Sequence, residues 1–367
     1  MSPKITHLIT TIERGGAEKQ LLILAREQVK AGFDVEILYL KGDPELKNEF
    51  EGAGAKVNPM LAKMSFMQQL SLLRKYLSRK HNLVHAHLPR AELLASLSCH
   101  KSAFVFSRHN AEAFWPDGPK IISIFLSRFV ALRAARGIAI SNSVKDYLIS
   151  NKEIPAKYPI EVIYYGFDSQ NTKTSFGQEY ISSRIHKNPN QIIIGTIGRL
   201  VPQKDYPTLL HAFAHASKIL PNLVLFVIGE GSLKNDLVVL CQELNITEKV
   251  HWLGKTQYVQ EFLSAIDIFI LTSIYEGFGL VLLEAMSAGK TILGANNSAI
   301  PEVLGKDYPG LFTTGDWLEL SKKIIKMGSN LARNKLESIS SARLKEFTSE
   351  KMLYRITNTY NSSREFH

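Results

Sequence analysis

The sequence predicts two doubly wound α/β domains in tandem. Three observations lead there: a length beyond one core, short β-rich runs alternating with helical patterns, and a polar stretch that interrupts the alternation near the middle. At 367 residues the chain exceeds what a single hydrophobic core usually supports, so two domains of roughly 170 to 190 residues are expected. Its apolar fraction of 45% and charged fraction of 21% are those of an ordinary globular protein, rich enough in apolar residues to fill a core in each half.

In the first half the strand candidates are residues 5–10, 35–40, 83–87, 104–107 and 138–140, separated by longer helical patterns. Strands that alternate with helices pair through crossovers, which gives a parallel sheet covered on both faces. A further run at 161–165 leads into residues 166–189, rich in Ser, Asn, Lys and Gln. That stretch is predicted as a linker with one short helix, and it carries the domain boundary: 1–170 forms the N-terminal domain and 171–348 the C-terminal one. The alternation restarts with strands at 192–197, 224–228, 250–253, 268–271 and 291–293. From Asp316 onward the pattern is helical, and 349–367 is predicted as a final helix, capped by Thr348, that packs back toward the N-terminal domain.

Cys99 and Cys241 are the only cysteines. With no charged-then-apolar leader, they point to a reducing cytoplasm. The longest apolar stretch, 121–135, is broken by Arg128 and Arg133 and is shorter than the roughly 20 residues a membrane span needs. The net charge of +10 is unevenly placed. Residues 61–157 hold 15 Lys or Arg against Glu92, Glu112, Asp117, Asp146 and Glu153, so that segment accounts for all of it.

Such asymmetry suggests an anionic partner. The basic residues are scattered over several helices without a recognition helix, zinc spacing or RNA-binding aromatics, which argues against nucleic acid and for an anionic membrane surface. A solvated basic face with no partner is the plainer alternative. Residues 121–136 combine Ile121, Ile122, Phe125 and Leu132 with Arg128, Arg133 and Arg136. That mixture suits either an interfacial helix or ordinary burial, because the apolar residues surround the helical wheel.

In open parallel sheets ligands bind beyond the carboxyl ends of the strands, so chemistry is expected at those ends. Gly15 and Gly16 follow the first strand and open a helix, where backbone N–H groups meet an anion. They lack the spacing of a dinucleotide fingerprint. After the strand at 192–197 come Gly198, Arg199, Pro202 and Lys204, a planar fork and a compact charge suited to a diphosphate. The strongest signal is Glu276-Gly277-Phe278-Gly279-Leu280 followed by Glu284. Here a carboxylate sits in a glycine-rich loop and a second one on the apolar helix beyond it, where burial without a partner is costly. His85 and His87 alternate onto one strand face. No third metal ligand has suitable spacing, which favours packing over a metal site.

With these residues in place, the chain resembles the retaining GT-B glycosyltransferases of family 4 along nearly its whole length. That family's signature is a glutamate pair spaced as Glu276 and Glu284 are. The resemblance implies two Rossmann-like domains facing a central cleft, an acceptor-binding N-terminal domain and a nucleotide-sugar donor domain. Glu276 would bind the donor sugar's hydroxyls, Glu284 the ribose, and Arg199 and Lys204 the diphosphate. Gly15 and Gly16 match the family's glycine loop, Phe278, Gly279 and Leu280 its backbone contacts, and Glu230 a recurrent loop. His109 matches a histidine near the reacting sugar. Two segments depart from the pattern: Tyr165 stands where the family has Asn, and the Ala299-Ile300-Pro301-Glu302 run lacks the usual glycines.

No Asp-x-Asp pair occurs in the sequence, so a metal-independent reaction is expected, with side-chain cations stabilising the departing diphosphate. No cofactor is implied; a UDP- or GDP-sugar is the expected substrate. The acceptor would be a glycan or polyprenyl-linked glycan of the cell envelope, reached from the cytoplasmic side at the membrane's inner face. Rival readings are a sugar-nucleotide epimerase of the same architecture, an NAD oxidoreductase, and an inactive scaffold of envelope assembly.

Overall fold

In this computed structural model the described residues are 4–77, 83–100, 103–168, 174–185, 188 and 190–364. The chain forms two compact units, one of residues 1–168 with 347–367 and one of residues 169–346. The 170/171 boundary expected from sequence lies outside the described residues.

The first unit runs β1 (Lys4–Ile9), α1 (Gly16–Lys30), β2 (Asp34–Tyr39), α2 (Lys47–Gly52), β3 (Lys56–Asn58), α3 (Phe66–Leu77), β4 (Leu83–His87), α4 (Pro89–Ser98), β5 (Phe104–Arg108), α5 (Lys120–Arg133), β6 (Arg136–Ala139), α6 (Asn142–Ser150) and β7 (Ile160–Val162). Its strands form one parallel seven-stranded sheet in the order β3-β2-β1-β4-β5-β6-β7. Every residue of β4 and β5 is buried, as befits central strands covered on both faces. The C-terminal helix Ser349–Arg364 belongs to this unit. The Thr348 hydroxyl accepts from the Lys351 N–H at 3.2 Å, and Met352, Ile356 and Tyr360 join the core cluster of Ile5, Leu24, Leu83 and Val105.

The second unit holds α7 (Ser175–Ser182), β8 (Ile192–Ile197), α8 (Tyr206–Ile219), β9 (Leu223–Ile228), α9 (Lys234–Glu243), β10 (Val250–Gly254), α10 (Val259–Ala265), β11 (Ile268–Leu271), α11 (Leu280–Ser287), β12 (Thr291–Ala295), α12 (Ile300–Leu304), β13 (Leu311–Phe312), α13 (Trp317–Lys326) and α14 (Asn330–Leu344). Its parallel sheet is ordered β10-β9-β8-β11-β12-β13. The strands β3 and β13 were not expected from sequence. Both are edge strands of three and two residues, too short for a periodicity to register. No helix among the described residues is long and apolar enough to cross a membrane.

Candidate active site

In the second unit the order of strands reverses between β8 and β11: β9 and β10 lie to one side of β8, and β11, β12 and β13 to the other. Such a switch point opens a crevice at the strands' carboxyl ends, and the loops after β8 and β11 meet there. They are tied together. Thr272 donates its hydroxyl to the Lys204 carbonyl at 2.8 Å, the Gln203 amide donates to the Tyr275 carbonyl at 2.9 Å, and the Ile274 N–H donates to the Gln203 carbonyl at 2.8 Å. Within this frame Lys204 Nζ donates to Glu276 Oε1 at 2.5 Å, and Ser273 donates its hydroxyl to the same oxygen at 2.7 Å. The Glu276 N–H in turn donates to Ser298 Oγ at 2.7 Å. The carboxylate is buried, and an ammonium and a hydroxyl both donate to its Oε1, which makes its burial tolerable.

Glycines let the neighbouring loops come this close. Gly229 has φ +145°, and a Cβ there would sit 1.8 Å from the Gly198 carbonyl oxygen; at Gly231 it would meet the Leu200 carbonyl oxygen at 2.4 Å. The Leu200 N–H donates to the Glu230 carbonyl at 2.9 Å, so the Gly229–Gly231 turn braces the loop that carries Arg199. The Arg199 and Glu230 side chains are exposed. Gly279, at φ +83°, starts α11 with no side-chain cap, leaving first-turn N–H groups of the kind that bind anions. Phe278 is buried, Gly277 and Leu280 are half-buried, and Glu284 is half-buried on α11.

In the first unit the switch point falls between β1 and β4. Gly15 and Gly16 follow β1, with Gly15 as the N-cap residue of α1. Parallel pairing sets His7 of β1 beside His85 of β4. The third histidine that spacing did not reveal is therefore supplied by another strand. His7, His85 and His87 present ring nitrogens within 4.8 Å of one another, but these nitrogens are engaged in hydrogen bonds. His7 Nδ1 lies 3.0 Å from His87 Nε2, and His7 Nε2 lies 2.7 Å from Gln28 Oε1. His85 bonds Tyr360 and Ser107, both at 2.7 Å, and His87 Nδ1 lies 3.0 Å from His109 Nε2. His109 Nδ1 bonds the Tyr165 hydroxyl. Burial disfavours the charged imidazoles. It pushes His7 down to about 4 and His85 and His87 well below their ordinary range; with Arg108 adjacent, His109 falls to about 3.

Arg108 precedes His109 and anchors the end of β5. Its guanidinium donates to Glu92 at 2.7 Å, Glu153 at 3.1 Å and Ser127 at 2.9 Å, all buried. Helix α5 is inverted relative to a surface helix: Ser123, Ser127, Val130 and Ala131 face inward, while Ile121, Ile122, Phe125 and Leu132 are exposed.

The model for glycosyl transferases group 1 matches residues 178–343, and that for glycosyltransferase family 4 matches residues 14–171. The chain belongs to this glycosyltransferase family. It is similar to the UDP-Gal:alpha-D-GlcNAc-diphosphoundecaprenol alpha-1,3-galactosyltransferase of Escherichia coli, 26% identical over 317 residues, 80% of this chain and 79% of the relative. The capsular polysaccharide biosynthesis glycosyltransferase CapM of Staphylococcus aureus is 25% identical over 345 residues, 88% of this chain and 87% of the relative. Anabaena HepE, solved in complex with UDP and glucose, matches with a TM-score of 0.82 at 21% identity, covering 98% of this chain and 100% of that one. The fold is that of the GT-B glycosyltransferases.

Lys204 and Glu276, which the sequence assigned to separate parts of the donor, bind one another. Ser273, Ser298 and Gln203, which position them, carried no motif. Tyr165, a departure from the family pattern, faces His109. His7, Gln28 and Tyr360 were also missed. The β1–β4 register brings His7 to His85 and His87, helix α1 brings Gln28, and the returning C-terminal helix brings Tyr360.

Proposed function

We propose that this glycosyltransferase moves a hexosyl group, with retention of configuration and without a metal ion, from a UDP- or GDP-sugar to a lipid-linked envelope glycan. The Lys204–Glu276 pair at the β8/β11 switch point, with Arg199 on the braced loop beside it, carries the proposal. Arg199, Lys204 and the N-terminus of α11 hold the diphosphate and stabilise the charge that develops as it leaves. Glu276 takes the sugar hydroxyls and Glu284 the ribose. Phe278 and the backbone of Gly277, Gly279 and Leu280 line the sugar and phosphates. Glu230 completes the donor contacts within the second unit, and the family resemblance assigns His109 to the reacting sugar. The first unit takes the acceptor and the second the donor.

The Escherichia coli relative is named for transfer from UDP-Gal to a diphosphoundecaprenol-linked sugar, which supports a polyprenyl-linked acceptor. An acceptor of that kind places the enzyme on the cytoplasmic face of the membrane. The exposed apolar face of α5, flanked by Lys120, Arg128 and Arg133, suits an anionic lipid surface. The test is incubation with UDP-, GDP- and ADP-sugars, with and without a polyprenyl-diphosphate sugar. Transfer with one donor and only with acceptor supports the reading. A new nucleotide-sugar formed from donor alone would replace it with an epimerase.

A further inference from the structure

We propose that Gln28 and Tyr360 act as positioning residues that fix the tautomer of His109 through a one-way hydrogen-bond chain. The direction of the chain follows from the orientation of the Gln28 amide, because a neutral imidazole has one donor and one acceptor nitrogen. The Gln28 amide donates to the Tyr360 oxygen at 3.2 Å, which turns its Oε1 toward His7 Nε2 at 2.7 Å. An amide oxygen only accepts, so His7 carries its proton on Nε2 and His7 Nδ1 is an acceptor. His87 must then donate from Nε2 across 3.0 Å, leaving its Nδ1 to accept from His109 Nε2, also at 3.0 Å. His109 Nδ1 accepts in turn from the Tyr165 hydroxyl. On the other arm, Tyr360 accepts from Gln28 and its own buried hydrogen finds its acceptor in His85 Nδ1 at 2.7 Å, so that His85 Nε2 donates to Ser107 Oγ at 2.7 Å.

All four histidines are therefore the Nε2–H form, and each bond dictates the next. The side chains of His7, His85, His87, Gln28, Ser107 and Tyr360 lie in buried positions, where a mismatched donor has no water to turn to. One ring cannot change its tautomer without the next changing too. The consequence for His109 is specific: both of its nitrogens are occupied, Nε2 as donor and Nδ1 as acceptor. It meets a ligand as a neutral, oriented ring that has no free nitrogen to take a proton. The C-terminal helix takes part in this through Tyr360, so the last helix of the chain orients a residue at the end of β5. The effect on turnover rests on the proposed placement of His109 beside the reacting sugar; the tautomer assignment does not.

Nitrogen-15 NMR of the imidazoles in the full chain near neutral pH reads the assignment directly. The expected result is Nε2–H for His7, His85, His87 and His109; an Nδ1–H form or an imidazolium at His109 would overturn it. In Gln28→Leu nothing accepts from His7, and His7, His87 and His109 should shift together toward Nδ1–H. Gln28→Glu again presents an acceptor to His7 and should restore Nε2–H at His109. A change at His7 that leaves His109 untouched in the leucine variant, or no restoration by glutamate in a folded protein, would show the rings to be independent. Turnover in Gln28→Leu should fall at least about tenfold with donor KM within about twofold. Concerted tautomer shifts with normal turnover would uphold the chain and remove His109 from the reacting centre.

Discussion

Lys204 Nζ lies 2.5 Å from Glu276 Oε1, so the carboxylate assigned to the sugar and the ammonium assigned to the diphosphate are paired before any donor arrives. The pair is largely buried, with the side chains 15% and 11% exposed, and a donor must share or divide it. Glu276→Gln keeps the shape and an acceptor for Ser273 and Lys204 while removing the charge. Turnover should fall at least about 10²-fold, the scale of a lost transition-state contact, with a thermal midpoint shifted by only a few degrees. Near-normal turnover would take Glu276 out of the site.

Gly229 is the residue on which the Arg199 loop leans. An alanine there would put a methyl carbon 1.8 Å from the Gly198 carbonyl oxygen at φ +145°, a conformation and a clash that only backbone movement relieves. Gly229→Ala should cost about 3 kcal/mol or more, whereas Gly305→Ala, also at positive φ but with nothing within 4 Å, should cost about 1 kcal/mol. Urea unfolding of the two variants would compare them; equal losses would mean that the brace is unimportant.

The first unit should weaken in acid. His7 and His109 titrate at about 4 and about 3 when folded, and His85 and His87 also far below 6.5. Unfolded, each binds a proton as pH falls past its ordinary value of about 6.5. Their contribution is complete above that pH and is lost as pH falls toward the folded values. Glu92, raised by burial to about 7, works the other way, its contribution being present below about 4.5 and lost as pH rises through 7. Four groups outweigh one. Unfolding free energy should drop between about pH 7 and pH 5; a flat profile there would show that the histidines are solvated.

Much of the fold was legible because parallel-sheet strands are short, continuous apolar runs: β4, β8 and β11 stand at the residues expected, Leu83–His87, Ile192–Ile197 and Ile268–Leu271. The position of Arg199, Lys204 and Glu276 in loops beyond strand ends was legible because charge there is conspicuous. The link between Lys204 and Glu276 was not, since it depends on β8 and β11 being neighbours, a fact of strand order. The histidine cluster was half legible. His85 and His87 alternate on one strand, but His7 joins them through the β1–β4 register and Tyr360 through a helix, 275 residues on from His85.

Helix α5 carries the membrane reading. Ile121 is 82% and Phe125 67% exposed, so replacing both with serine removes no core packing. The double variant should lose at least about tenfold in binding to vesicles containing anionic lipid, since burying each side chain contributes up to about 2 kcal/mol. High salt should release the unsubstituted protein. Unchanged binding by the variant, or equal retention on neutral vesicles, would count against this surface.

In the proposed reaction side-chain cations after β8, and no metal, hold the donor's diphosphate. Calorimetric titration with UDP, GDP and ADP in the presence of EDTA tests it most directly. One nucleotide should bind, Arg199→Ala and Lys204→Ala should each weaken it at least about tenfold, and Glu276→Gln should leave it within about threefold. Unchanged affinity in both cation variants, or binding that appears only when Mg²⁺ or Mn²⁺ is added, would rule out a metal-free diphosphate site at Arg199 and Lys204.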